Sequence, residues 1–238
     1  MGRRGAVRYA VATAVAGMLC ACGPPAPVPA PGPPAGEATA APEPPPPPPV
    51  AEADRTAGLR GHDVPQSGAG ETVPVPEPEQ APTPPDRERT VPMRVEIEQG
   101  IDVDGAAFAS YVAAVLNDPR SWGGDGSMGF VHTEGPAPLQ VLLVTPALAD
   151  ELCAPLDTAG RLSCRNGEKV VVNLERWVTG TPDYADDLTG YRRYLVNHEV
   201  GHWLGHRHEP CPGPGEPAPV MQQQTLGLDG CTPYSWPR

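Results

Sequence analysis

The 238-residue chain is nearly without lysine: Lys169 stands alone against sixteen arginines, and acidic side chains outnumber basic ones 29 to 17. A formal charge of −12 repels nucleic-acid phosphates and removes that class of partner. The shortage of lysine, with the excess of Ala, Gly and Pro, reflects GC-rich coding and carries no functional reading. Long hydrophobic runs are missing too. The apolar run from Tyr9 to Leu19 suits the core of a signal peptide and is too short to span a bilayer. No CxxC pair is present, which argues against a structural zinc held by thiolates. No internal repeat is found, so a solenoid is excluded.

What the chain has in quantity is proline, 35 residues, and glycine, 27, with most prolines before residue 90. Residues 1–22, "MGRRGAVRYAVATAVAGMLCAC", begin with Arg3, Arg4 and Arg8 and end in "LCAC". That ending resembles a bacterial lipobox, with Leu19 at −3, Ala21 at −1 and Cys22 as the lipidated new N-terminus. Cys20 fits less well because Gly17 would then stand at −3, and ordinary signal cleavage is the alternative. The paired arginines lack the flanks of a twin-arginine signal. The expected location is therefore extracytoplasmic, on the outer face of the bacterial membrane, anchored through lipid on Cys22. Residues 23–90 read as a disordered linker, with polyproline character in "PEPPPPPPV" and "VPVPEPEQAPTPP". Fully stretched at about 3.1 Å per residue, it would reach on the order of 200 Å.

From residue 91 the texture becomes that of one α+β domain, 91–238, with a small mixed sheet. "PMRVEIEQG" alternates as a strand with Met93, Val95 and Ile97 on one face. "DGAAFASYVAAVLND" predicts a helix with Asp104 as its N-cap. "PLQVLLVTP" and "EKVVVNLERW" predict buried strands, and "DDLTGYRRYLVNHEVGHWLG" a helix that stops near Gly205. Four cysteines remain once Cys20 and Cys22 are set aside. An even number in an exported chain argues for disulfides, and proximity favours Cys153–Cys164 and Cys211–Cys231. No cysteine lies in the linker, so latency through a linker thiol on a metal is not expected.

The chemistry concentrates in "HEVGHWLGHRH", residues 198 to 208. On a helix His198 and His202 share a face one turn apart and can meet one zinc. Glu199 is rotated aside by roughly 100°, which suits a base acting on water rather than a ligand. Gly205 follows His202 by three and can turn the chain, returning His208 as a third ligand. Complete, H-E-x-x-H-x-x-G-x-x-H is the extended motif of metzincin metallopeptidases. Met221, thirteen residues after His208, is the candidate for the methionine turn beneath the metal. Gly201 is expected only to permit close packing, and His206 to stay off the metal. His62 and His132 read as surface residues, Glu209 and Tyr234 as groups near the site. Tyr191, Leu195, Val196 and Trp203 read as packing.

The stretch "YRRYLVNHEVGHWLGHRHEPCPGPGEPAPVMQQQTLGLDGC", with "DPRSWGG" and "VVVNLERWV", resembles the actinobacterial exported proteins grouped as the DUF3152, zincin-like metallopeptidase family. The resemblance covers about residues 91 to 238 and none of the linker. It implies a single metzincin-like zincin domain with an active-site helix and a Met-turn, and a substrate extended along an edge strand near residues 168 to 174. Two departures stand out: Gln223 occupies the place where some metzincins carry a tyrosine, and only seventeen residues follow Met221. The expectation is a monomeric zinc-dependent endopeptidase of the cell envelope holding one Zn2+. Zinc-bound water would attack a peptide carbonyl with Glu199 as general base. The alternatives are a non-catalytic zinc-binding lipoprotein and a zinc hydrolase of cell-wall peptides.

Overall fold

The computed structural model describes residues 49–77 and 86–237; the lipobox with Cys22 and the tract up to residue 48 lie outside them. Among the described residues there are five α-helices: α1 (Glu52–Thr56), α2 (Gly105–Leu116), α3 (Pro146–Cys153), α4 (Leu174–Thr179) and α5 (Leu188–Trp203). Six strands complete the set: β1 (Thr72–Pro74), β2 (Arg89–Glu98), β3 (Met128–His132), β4 (Leu139–Val144), β5 (Cys164–Asn166) and β6 (Lys169–Asn173). The arrangement is α+β with a mixed sheet. No helix among the described residues is long and apolar enough to cross a membrane.

The sheet runs β1-β2-β4-β6-β5, with β3 also on β2. The pairs β2–β3, β2–β4 and β4–β6 are parallel, whereas β1–β2 and β5–β6 are antiparallel. β1 and β3 lie end to end on one edge of β2, where the Glu77 and Glu134 carboxylates each accept from the other's backbone N–H. The apolar runs of β4 and β6 follow from this topology, because interior parallel strands are covered on both faces. Leu139, Val141 and Leu143 of β4, with Val170 and Val172 of β6, join the core under α2, α4 and α5. Leu142, Val144 and Val171 point the other way, onto Leu148 and Ala149 of α3 and the Cys153–Cys164 disulfide.

The anticipated helices and strands are found, with Asp104 accepting from Ala107 N as the N-cap of α2. The strand expected through "EKVVVNLERW" stops at Asn173, whose side chain accepts from Glu175 N and starts α4 instead. β6 also lies inside the sheet, so the free edge is β5, residues 164–166, rather than 168–174. His132, expected at the surface, is buried beside β2 with no hydrogen-bond partner at either ring nitrogen. Burial pushes its pKa below the usual histidine value.

The larger correction concerns the linker. Residues 49–77 fold onto the domain rather than linking to it. Ala57, Leu59 and Val75 are buried in the main core. Trp177 Nε1 donates to Ala57 O at 2.9 Å, and Arg192, on α5 and 1% exposed, lies 2.8 Å from Asp54 Oδ1. Gly58, at φ +87°, brings its backbone so near Phe108 that a Cβ would lie 2.9 Å from that side chain. β1 pairs Thr72–Pro74 against Glu98–Glu96. Extended and polyproline backbone occupy neighbouring φ/ψ, so a Val-Pro segment takes an edge place when a partner edge is available. Composition averaged over residues 23–90 hides three buried side chains.

Candidate metal centre

α5 is started by Asp187, whose carboxylate accepts from Gly190 N at 2.7 Å. Eleven residues on, its buried face carries His198, and one turn later His202. The helix ends after Trp203, and Gly205 takes φ +100°, a left-handed conformation that favours glycine. The turn is closed by His206 N donating to Gly201 O at 2.9 Å, and the chain then returns His208 to the helix. The three imidazoles converge: His202 Nε2 lies 3.2 Å from His198 Nε2 and 2.9 Å from His208 Nε2.

Their other nitrogens show how the rings are held. His198 Nδ1 lies 2.8 Å from Val220 O, and His202 Nδ1 lies 2.9 Å from His206 O. A carbonyl accepts only, so both Nδ1 atoms carry the proton. In the neutral rings the facing Nε2 atoms are then bare lone pairs, which repel at such distances unless a cation sits between them. Burial drives His198 down to about 3, keeping that ring neutral, and burial with the neighbouring His202 lowers His208. A tetrahedral zinc with bonds of about 2.0–2.1 Å would separate two imidazole nitrogens by about 3.4 Å. The donor set fits a divalent metal, and among the described residues it is the one such cluster.

Glu199 lies beside the cluster, 5% exposed, and lines the same cleft. Burial pushes its carboxyl up to about 8 in the bare chain. The floor is the loop around Met221, itself 1% exposed. A Cβ at Gly201 would lie 2.5 Å from Met221 Sδ and 2.6 Å from Trp122 Cζ2, so the bare glycine is what lets the helix settle on this loop. The loop is also bonded to α5: Tyr194 Oη donates to Gln222 O at 3.1 Å and accepts from Gln224 N at 2.9 Å.

The cleft above the three histidines has a volume of about 420 Å³. One lip, with Leu156, Leu162 and Ser163, belongs to the loop closed by Cys153–Cys164; β5 continues it with Arg165. Another part of the lining, with Gln223, Thr225 and Leu226, belongs to the loop closed by Cys211–Cys231. Both expected disulfides are formed, and each pins one wall of the same cleft.

The structure thus brings His198, His202, His208, Glu199, Gly205 and Met221 together. His206 stays off the cluster, its ring stacked on Trp122 at 4.3 Å while its carbonyl orients His202. Tyr191, Leu195 and Val196 are buried packing, and Trp203 Nε1 donates to Pro138 O. Tyr234 O accepts from Gln224 Nε2 behind the floor loop, and Glu209 lines an adjoining cavity next to His208. Sequence reading missed Tyr194, Trp122 and the two lips. The cysteine spacing marks the two as closed loops, but nothing local shows that they line the same cleft.

No curated protein and no solved structure matches the chain. A family profile described as a protein of unknown function (DUF3152) matches residues 59–235, beginning inside the segment that composition alone would assign to the linker. With that span covering most of the domain and the whole cleft, the chain belongs to the DUF3152 family.

Proposed function

We propose that the protein is a zinc-dependent endopeptidase of metzincin-like organisation, monomeric and lipid-anchored through Cys22 in the bacterial cell envelope. The observation that carries the reading is the convergence of three imidazole nitrogens beside a buried carboxylate that is not one of the cluster. His198, His202 and His208 would hold the ion. Bound there, zinc would supply Lewis acidity, lowering the pKa of water toward about 7 and polarising a carbonyl oxygen.

Proton handling falls to Glu199. A nearby dication opposes the effect of burial and favours the carboxylate. As carboxylate it takes a proton from the attacking water; as acid it returns that proton to the departing amine nitrogen. The peptide would lie extended along the free edge of β5, whose other edge is already paired with β6. Val220 O and His206 O would keep two imidazoles in the tautomer that presents Nε2.

The test is metal content and cleavage of a casein-like protein by the full chain, by His208→Ala and by Glu199→Gln. The expected result is about one zinc per chain for the unaltered protein and Glu199→Gln, and weakened binding in His208→Ala. Turnover by Glu199→Gln should fall about 10²–10⁴-fold. Undiminished cleavage by that variant overturns the assignment of the base, and folded protein that takes up no zinc overturns the whole reading.

A further inference from the structure

We propose that the cleft selects an extended peptide in which an apolar side chain is flanked by aspartate or glutamate; this rests on the peptidase reading above and names its substrate class. The first observation is the placing of exposed apolar side chains. Among the described residues three large ones are exposed: Val73 at 41%, Leu156 at 51% and Leu226 at 65%. Two of the three, Leu156 and Leu226, line the cleft that holds the histidine cluster, and Leu162 lines it too. Apolar surface concentrated at the mouth of a cleft marks where a ligand's apolar side chain is taken out of water.

The second observation is charge. The chain carries −12 overall, yet among the described residues Glu199 is the one acid lining this cleft. Arg165 on β5 and Arg207 before His208 line the rim, both exposed, and neither is in an ion pair among the described residues. Net charge repels an acidic peptide at long range, but salt screens exposed charges beyond about 8 Å at physiological ionic strength. At the rim, where the residues flanking a bound side chain would lie, the charges lining the cleft are the two guanidiniums, and they set the sign there. A lysine-bearing peptide meets two like charges there; an acidic one meets two partners able to take a carboxylate in a bidentate pair.

The third observation is that the lips are held. Leu156 and Leu162 lie within the Cys153–Cys164 loop, Arg165 follows directly on β5, and Leu226 lies within the Cys211–Cys231 loop. The spacing between apolar contact and positive charge is therefore built in, and the selectivity belongs to the fold.

The test uses two fluorescent peptides that differ only in the residues flanking a central leucine, glutamate in one and lysine in the other. Affinity is read by anisotropy on the full chain carrying Glu199→Gln, and cleavage is read on the chain without that change. The glutamate peptide should bind and be cleaved better by about fivefold or more, the scale of exposed ion pairs. Arg165→Glu should shift the preference toward the lysine peptide, a reciprocal change that simple damage to the fold cannot produce. Equal or better binding of the lysine peptide by the Glu199→Gln chain with Arg165 and Arg207 in place overturns the proposal. Cleavage of both peptides at equal rates leaves the peptidase reading standing and removes this one. Preferential binding of the glutamate peptide with no cleavage of either does the reverse: the charge selectivity holds and the peptidase reading falls.

Discussion

From Arg89 to Trp203 the chain passes through strands and helices whose backbone groups bond largely to one another, whereas from Leu204 to Pro237 it has neither, only an isolated bridge between Pro217 and Thr232. The site draws on both stretches: His198, Glu199 and His202 from the first, His208 and Met221 from the second. The irregular stretch is held by other means. Buried side chains of the regular part take its backbone groups, as Tyr194 does for Gln222 O and Gln224 N and Asn197 Nδ2 does for Ser235 O at 3.0 Å. Within the stretch Gln224 Nε2 bonds Pro219 O and Tyr234 O, and Cys211–Cys231 closes the loop. A segment without helix or strand can thus place a histidine of the cluster, provided its polar backbone is satisfied.

The contrast breaks most strongly on the regular side. Asp54→Ala strips the buried Arg192 of α5 of its counter-charge and should cost on the order of 3–5 kcal/mol in chemical denaturation. A chain begun at residue 91 loses that pair together with Ala57, Leu59 and Val75, and should not reach the native state. The Asp54 pair also has a pH signature. Burial raises its carboxyl, but His62 and Arg192 outweigh that and hold the pKa below its ordinary value. Its contribution is present above the unfolded value of about 3.9 and is lost as pH falls through the lower folded value. The stability gap to Asp54→Ala should therefore close in acid and stay open at neutral pH.

On the irregular side, the double change Cys211→Ser with Cys231→Ser should cost about 2–4 kcal/mol. It should also weaken zinc binding more than the corresponding change at Cys153 and Cys164, because only the first loop contains the floor under the histidines. A smaller loss is expected for Tyr194→Phe, which removes two hydrogen bonds to the loop and leaves Gln224 N and Gln222 O bonded only to each other, about 1–3 kcal/mol by thermal or chemical unfolding. The smallest belongs to His206→Ala. It removes a ring stacked on Trp122 and keeps the carbonyl that orients His202, so stability should change by about 1 kcal/mol. Zinc titration of that variant should match the unaltered protein; a large loss would mean that His206 itself ligates.

Much of the site could be read in residues 198 to 221 because its geometry is local. A four-residue helical spacing, a glycine three residues later and a histidine three after that are short-range constraints. Gly201 illustrates the limit. Sequence reading could say that it permits close packing, but not that Met221 and Trp122 are what it admits. The edge strand that the family resemblance implies near residues 168 to 174 is an interior one: "KVVVN" is apolar on both faces, the mark of an interior strand, and the short "CRN" beside it takes the edge. His132 gave no signal at all, since one histidine in a short strand reads the same whether buried or exposed.

Periodicity, capping and motif spacing by themselves determined the helices α2 and α5, the strands β2 and β4, the three-histidine set and its glycine turn. These depend on interactions within a few residues, which local sequence encodes directly. Tertiary structure alone decided that residues 49–77 belong to the domain, that Asp54 neutralises Arg192, and that two disulfide-closed loops line one cleft. Each of those joins residues far apart in the chain, where the stabilisation comes from burial and pairing with partners that no local pattern names.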